Sequence, residues 1–247
     1  FCAKRKETSD KKVILIIKYF MKNLFLIVNR KAVLIFLGVI VCIVAVGVCY
    51  AVQVASSPKP TYTIVIDAGH GGKDGGAEGE EVTESFLNLQ YALTLKDLCE
   101  QYGFKVVLTR SDMNGLYSPF ASNKKRSEME KRRSIIEKTN PDLVVSIHMN
   151  SFASSAARGA QVFYADGSES GQSLAKSVQE TLHKNIDYAK LTPQVGDYYI
   201  LNCTDTPSIL VECGFISNPE EEKLLIDEQY RQKFCYNLLC GMLLYFK

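Results

Sequence analysis

The chain is poor in the residues that most often hold metal ions or close disulfide frameworks. It has three histidines in 247 residues, so a histidine-based metal site has few candidate ligands. Its eight cysteines include no Cys-x-x-Cys pair, and five of them, an odd number, lie after residue 60. This usage argues against a disulfide framework and against a zinc site built from cysteines.

Charge is absent from Ala32 to Ala55, a run of 24 positions. At 1.5 Å per residue, a helix of this length crosses a hydrocarbon core about 30 Å thick. The run is longer than the apolar part of a secretory signal, about 7–15 residues, and no convincing small-x-small cleavage site follows it. We therefore expect residues 32–55 to be a retained transmembrane anchor.

The segment before the anchor, residues 1–31, is strongly basic, with nine Lys or Arg against two acidic residues. The positive-inside tendency then places the N-terminus in the cytoplasm and the rest of the chain outside. Because Met21-Lys22-Asn23 looks like the ordinary start of an anchored protein, we hypothesise that residues 1–20 are not native.

The segment after residue 31 is mildly acidic. The chain has 29 basic and 27 acidic residues. The segment after residue 31 contains 20 of the basic and 25 of the acidic residues, a net charge of about −5. This balance argues against nucleic acid as a partner.

Beyond a short linker at residues 56–60, residues 61–247 have the length of one domain and contain no internal repeat. Strands and helices alternate, which predicts an α/β fold with a twisted, mostly parallel or mixed sheet flanked by helices. Strands are expected at 62–67, 104–109, 143–148, 160–164, near 198–202 and at 208–212, and helices at 84–102, 127–139, 170–184, near 219–226 and near 228–245.

Three apolar runs in this domain end in, or shortly before, a group that can bind a metal or move a proton. They are Ile64–Ile66 before His70, Val144–Ile147 before His148, and Ile209–Val211 before Glu212. Sheets of this class collect their chemistry where strands leave the sheet, so the three groups are expected to converge on one edge. A fourth candidate, Glu84, follows His70 at the start of a predicted helix.

Taken together, these segments resemble the zinc-dependent N-acetylmuramoyl-L-alanine amidases of the amidase 3 type. The pattern of that family reads roughly Asp-Pro-Gly-His-Gly-Gly, a glutamate at a helix start, Ser-Ile-His-x-Asn, and Glu-x-Gly-Phe-x-Ser-Asn. The resemblance covers about Thr61 to Tyr245, and Val211–Pro219 match in full register.

The resemblance implies a peptidoglycan hydrolase with one Zn²⁺ per domain, held by His70, Glu84 and His148. Two neutral imidazoles and one carboxylate leave a fourth zinc position for water, whose pKa can fall to about 7. Glu212 would accept the water proton and pass it to the departing nitrogen. The bond cut would join the lactyl group of N-acetylmuramic acid to L-alanine of the stem peptide.

Glu84, His183 and Cys213 each have a simpler structural interpretation. Glu84 would in any case favour the helix N-terminus by its charge. His183 follows helically spaced leucines and is interpreted as an ordinary helix-surface histidine. Cys213 should point to the face of its strand opposite Glu212, as a buried packing residue.

The glycine cluster from Gly69 to Gly76 invites a nucleotide-binding interpretation, which fails on spacing. Asp74 stands where a dinucleotide-binding motif needs glycine and where a phosphate-binding loop needs Ser or Thr after Gly72-Lys73. The glycines are more consistent with a backbone that passes close to a metal or substrate.

Arg132 stands where the family commonly has an arginine, but Ile136-Glu137 replace the usual Ala-Asn, so the resemblance does not carry a substrate role over to Arg132. The alternative is that Arg132 belongs to a solvated basic run from Lys124 to Arg133. The sequence predicts no particular substrate-binding residue.

Within the family, a single span and a compact domain without wall-binding repeats resemble the sporulation-specific amidases of endospore formers. That branch implies a role in spore-cortex maturation, through formation of muramic δ-lactam. A vegetative autolysin or cell-separation amidase, a non-catalytic wall-binding or activator module, and a zinc peptidase remain alternatives. An accessory activating protein is a further expectation.

Overall fold

The structure, a computed structural model, describes residues 2–55 and 62–247, and the predicted linker at 56–60 lies outside them. The chain divides into two compact units, residues 1–57 and 58–247. In the first, helix α1 spans Cys2–Ala55. Its stretch Arg30–Val48 has a mean hydropathy of 2.8 and exposed side chains. This stretch has the length and composition of a membrane span or a signal sequence.

The second unit contains a six-stranded sheet, with strand order β2-β1-β3-β6-β4-β5. The strands are β1 (Thr63–Ala68), β2 (Lys105–Leu108), β3 (Leu143–Asn150), β4 (Gln161–Tyr164), β5 (Gln194–Val195) and β6 (Ser208–Phe215). Strands β2, β1, β3 and β6 are parallel, and β4 runs antiparallel to β6. The predicted mixed, mostly parallel α/β sheet is confirmed.

Six helices cover this sheet. They are α2 (Glu84–Gln101), α3 (Lys124–Thr139), α4 (Glu169–Asn185), α5 (Tyr199–Asn202), α6 (Pro219–Ile226) and α7 (Glu228–Tyr245). Helices α2, α4 and α7 contribute to the large core cluster on one face. Helices α3 and α5 contribute to a smaller cluster on the other face.

Side chains alternate along each strand, and this alternation determines which face of the sheet carries the candidate functional residues. Ile64 and Ile66 belong to the large core, whereas Val65 between them belongs to the small one. Because side chains alternate with period two, Asp67 lies on the face of Val65. By the same rule, His148 and Glu212 share the face of α3 and α5.

Most predicted elements are found within a few residues of their expected bounds, but the strand predicted near 198–202 is wrong. Those residues form the short helix α5, where Ile200 and Leu201 pack into the small core. Asn202 Nδ2 donates to Tyr198 O at 3.1 Å and supports the turn. A short apolar run does not distinguish a strand from a buried helical turn, and the edge strand β5 lies earlier in the chain.

Helix α3 begins three residues before its predicted start. The side chain of Asn123 accepts a hydrogen bond from Arg126 N at 2.9 Å, which satisfies one of the free backbone N–H groups of the first turn. Residues Lys124 to Arg126 are therefore helical, and this places their side chains beside the site described next.

Candidate metal centre

The site forms where three neighbouring strands end. Strand β3 lies between β1 and β6, and His148 on β3 is paired in register with Glu212 on β6. On the other side, Gly69 N donates to Ile147 O at 3.1 Å and carries the chain from β1 towards His70. The predicted convergence of His70, His148 and Glu212 on one edge of the sheet is found.

The three predicted ligands lie close enough together to hold one metal ion. Glu84 Oε1 is 2.8 Å from His148 Nδ1 and 3.2 Å from His70 Nε2. One ligand atom from each residue falls within 4.8 Å of the other two. Two imidazole nitrogens and one carboxylate oxygen form a donor set that suits zinc and leaves room for a further ligand.

Two glycines leave the space that these side chains occupy. A Cβ atom at Gly69 would collide with the ring of His148, and one at Gly76 would collide with Glu84 and His70. His70 itself has a φ of 60°, in the left-handed region that residues other than glycine rarely adopt. The loop is therefore shaped around the three ligands, in agreement with the close-approach interpretation of the glycine cluster.

Glu84 is fixed on both of its oxygens. Its Oε2 accepts from Ala77 N at 2.8 Å, and its Oε1 accepts from Asn88 Nδ2 at 3.2 Å. Burial would raise the pKa of the Glu84 carboxyl, but the hydrogen bonds and charges of His148 and His70 outweigh burial and lower the pKa. Glu84 is thus held as a carboxylate, the form that binds a cation, at the start of α2.

Asp74 lies against His70 on the outer side of the site. Its Oδ1 is 2.9 Å from His70 Nδ1, and its Oδ2 is 2.9 Å from Lys125 Nζ. Burial opposes ionisation of Asp74, but Lys125 and His70 together lower its pKa to about 2. A carboxylate on the second ring nitrogen is a common way to hold a metal-binding imidazole. The sequence analysis used Asp74 only to exclude nucleotide motifs and did not predict this contact.

Two buried arginines hold the backbone that leads into His70. Arg132 donates to Ala68 O at 2.8 Å and to His70 O at 2.7 Å. Arg110 donates to Ala68 O at 3.0 Å and to Gly69 O at 2.9 Å. Three consecutive carbonyl groups are therefore bound by guanidinium groups, and these bonds stabilise the left-handed conformation of His70.

Arg132 is balanced by two buried carboxylates. It forms ion pairs with Asp67 and, at 2.6 Å, with Glu128 Oε1, and its side chain is 1% exposed. Burial would raise the pKa of Asp67, but Arg132 and the hydroxyl groups of Ser146 and Thr109 lower it. The solvated-run alternative for Arg132 is therefore wrong, because Arg132 lies under the metal centre while Arg126 and Arg133 are exposed.

Glu212 is buried beside the three candidate ligands. Glu212 is 8% exposed, and within the described part of the chain its Oε2 has no hydrogen-bond partner. Burial raises the pKa of Glu212 to about 7, with His148 opposing and Glu84 adding to the rise. A carboxylate buried without a partner costs stability, and one that titrates near neutral pH suits proton transfer.

The ligands and Glu212 line one cavity of about 440 Å³. Its walls also include Lys125, Met129, Asn150, Tyr198 and Tyr199. Glu212 and the three candidate ligand residues therefore border the same space.

The two residues predicted to lie outside the chemistry do so. Cys213 is 1% exposed and packs in the large core, on the other face of the strand from Glu212. His183 lies on the exposed side of α4, where its Nδ1 is 2.9 Å from Ala189 O. Both simpler interpretations are confirmed.

A His/Glu/His cluster with a buried carboxylate beside it, at the carboxyl edge of an α/β sheet, is the arrangement of a metal-dependent hydrolase. Residues 64–243 match the amidase 3 family, described as N-acetylmuramoyl-L-alanine amidase. The chain belongs to this family and is an N-acetylmuramoyl-L-alanine amidase with a His/Glu/His metal site.

Similar proteins agree with this assignment. The germination-specific N-acetylmuramoyl-L-alanine amidase of Bacillus subtilis (strain 168) is 31% identical over 195 residues, which are 77% of this chain and 82% of the relative. The CwlD amidase from Clostridioides difficile, solved in complex with the GerS lipoprotein, has a TM-score of 0.72 and 36% identity over 75% of this chain and 98% of its own. The catalytic domain of CwlV from Bacillus (Paenibacillus) polymyxa has a TM-score of 0.67 and 30% identity over 75% of this chain and 98% of its own.

Proposed function

We propose that the protein hydrolyses the amide bond between the lactyl group of N-acetylmuramic acid and L-alanine of the stem peptide, with one Zn²⁺ held by His70, Glu84 and His148. The observation that carries the proposal is the position of Glu212, which is buried, is paired in register with His148 and lines the same cavity as the three ligand residues. When bound, zinc supplies a Lewis acid that polarises the scissile carbonyl and lowers the pKa of water.

The side chains of the site perform the remaining steps. The Glu212 carboxylate accepts a proton from the attacking water as the new carbon–oxygen bond forms. It then donates that proton to the amide nitrogen as the carbon–nitrogen bond breaks, so the peptide leaves as an amine. Arg110 and Arg132 keep His70 in place during both steps, because they hold the carbonyl groups of residues 68–70. Asp74 lies within ion-pair distance of the His70 ring.

Removing one ligand should remove the metal. His70→Ala is expected to lower the zinc content of the purified full-length protein from about one ion per chain to well below half, and to abolish peptide release from peptidoglycan. The change deletes one of three protein ligands and leaves the others intact. Metal analysis and peptide release are measured on the same samples.

His183→Ala is the matched control, because it removes an exposed histidine on α4 away from the cavity. It should keep both the zinc and the activity. A His70→Ala protein that retained a full zinc complement would contradict the ligand assignment.

We further propose that the substrate is the spore cortex, where removal of the stem peptide precedes formation of muramic δ-lactam. The similarity to the germination-specific enzyme of Bacillus subtilis supports this role. Deletion of the gene should give spores whose cortex lacks muramic δ-lactam, as measured by mass spectrometry of cortex fragments. Unseparated vegetative cells with a normal cortex would instead favour a cell-separation amidase.

The proposed location follows from the N-terminal helix. Residues 32–55 act as a retained anchor, with the N-terminus in the cytoplasm and the catalytic domain outside, in the space between the mother cell and the forespore. The apolar stretch Arg30–Val48 and the basic residues before it support this orientation. An accessory protein is also proposed, because the CwlD amidase from Clostridioides difficile was solved in complex with a lipoprotein.

A further inference from the structure

We propose that a groove beside the metal centre is a subsite for the free carboxylates of the stem peptide. The groove, of about 750 Å³, runs along α3 and is lined by Lys125, Arg126, Met129, Arg133 and Tyr199. We call it the basic groove. The proposal rests on the amidase function proposed above and names the part of the substrate that this surface binds.

The basic groove is continuous with the metal centre. Lys125, Met129 and Tyr199 line both the groove and the cavity over the metal ligands. Lys125 Nζ also bonds Asp74, the carboxylate that contacts His70. A peptide whose first amide lies at the ligands can therefore extend its next residues into the groove.

The groove offers cationic hydrogen-bond donors to an anionic ligand. Three cations, Lys125, Arg126 and Arg133, line it together with one carboxylate, Glu130. Positions 126, 129, 130 and 133 are spaced i, i+3, i+4 and i+7, so they form one face of α3. The buried stripe of Glu128, Arg132 and Ile136 occupies another side of the helix. One helix thus supports the metal centre and presents a separate cationic face beside it.

The two arginines of the groove keep donors for a ligand. Arg126 pairs with Glu130 at 2.8 Å and Arg133 with Glu137 at 2.7 Å, and each pair uses the Nε atom. A guanidinium group has five N–H donors, so its terminal amino groups can bind a carboxylate while Nε is engaged. Arginine binds carboxylates through two parallel hydrogen bonds, a geometry that an uncharged amide does not match as well.

The substrate offers the matching chemistry. Beyond its first alanine, a stem peptide carries free carboxylates on its acidic residue and at its C-terminus, and these groups become neutral when amidated. The basic groove therefore distinguishes acidic stem peptides from amidated ones. The discrimination is moderate, because the arginines are exposed and partly screened by salt.

The experiment compares two soluble disaccharide-peptides that differ only in whether the peptide carboxylates are free or amidated. The zinc-loaded full-length protein in detergent is assayed beside the double variant Arg126→Gln/Arg133→Gln. For the free-carboxylate substrate, the variant should raise KM about 5-fold and leave kcat within about 2-fold. For the amidated substrate, both constants should stay within about 2-fold of the unmodified protein. High salt should remove the preference of the unmodified protein.

Lys131→Gln is the matched control, because Lys131 is an exposed cation on the same helix that does not line the groove. It should leave both substrates unaffected. If the double variant does not fold, Arg126→Gln alone is compared in the same way. Equal KM values for the two substrates in the unmodified protein, or an equal rise for both in the variant, would overturn the subsite.

Failure of the subsite remains distinguishable from failure of the proposed function. If neither substrate is cleaved, calorimetric titration with the free and amidated stem peptides still tests the groove. Tighter binding of the free acid, weakened by the double variant, supports the subsite even then. Equal binding of the two peptides would refute the subsite and would mean that the three cations only form a solvated face of α3.

Discussion

Glu212→Gln should lower kcat by about 10²- to 10⁴-fold while the protein keeps its zinc, because glutamine fills the same space but accepts no proton. The variant changes neither of the histidines nor Glu84. Peptide release is measured with saturating peptidoglycan fragments, and zinc is measured on the same samples. Glu220→Gln is the matched control, because Glu220 is an exposed carboxylate paired with Arg158 on the surface.

The pH dependence of kcat/KM should also show the role of Glu212. Glu212 acts as a base only when deprotonated, and burial raises its pKa to about 7. The value of kcat/KM should therefore rise with pH up to about neutral, and a bound cation should shift that rise to lower pH. The residual kcat/KM of Glu212→Gln should not show this rise with pH. Near-normal turnover by Glu212→Gln would contradict the assigned role.

Arg132→Met should destabilise the protein by about 3–5 kcal/mol, because it leaves two buried carboxylates without their partner. Methionine fills much of the volume, so the loss is mainly electrostatic. Asp67 and Glu128 are both 2% exposed, and hydration cannot replace the guanidinium group without opening the fold. The free energy of unfolding of the metal-free protein is measured by chemical denaturation.

Arg133→Met provides the comparison, because the next residue on α3 is exposed and pairs with Glu137 on the surface. Its effect should be at most about 1 kcal/mol. Arg132→Met should also weaken zinc binding, since His70 loses the bond to its carbonyl oxygen. Equal stabilities of the two variants would mean that Arg132 is not needed under the site.

The convergence of His70, His148 and Glu212 could be predicted from the sequence because each lies close to the end of an apolar strand. Parallel strands end at the same edge of a sheet, and β1, β3 and β6 turn out to be neighbours. Glu84 could be placed only by resemblance, since a glutamate at a helix start has an ordinary electrostatic role. The structure adds the reason that it belongs to the site, because Glu84 Oε1 contacts both histidines.

The supporting contacts were harder to predict. Within the basic run from Lys124 to Arg133, cations stand on several sides of the helix, so charge alone does not identify the buried arginine. The spacing of Glu128, Arg132 and Ile136 at four-residue intervals was the available signal, since these residues form one stripe on α3. The pairing of Asp74 with His70 depends on a turn containing several residues with positive φ, and local propensity does not specify it.

The short helix α5 could not be predicted from the sequence for a different reason. Tyr198–Leu201 is apolar and aromatic, which favours a strand by composition. In the fold the sheet edge is already occupied by β5, and Ile200 and Leu201 are buried against α3 and the sheet instead. Tertiary packing therefore overrides local preference, and it places Tyr199 where the cavity and the basic groove meet.

The most direct test of the account is mass spectrometry of the products that the zinc-loaded full-length protein releases from peptidoglycan. The account predicts free stem peptides that begin with an unblocked L-alanine, together with glycan strands whose muramic acid carries a free lactyl carboxylate. Both products should be absent with Glu212→Gln and His70→Ala. Peptides cut within the stem, with the first alanine still attached to the glycan, would contradict the amidase assignment and identify a zinc peptidase instead.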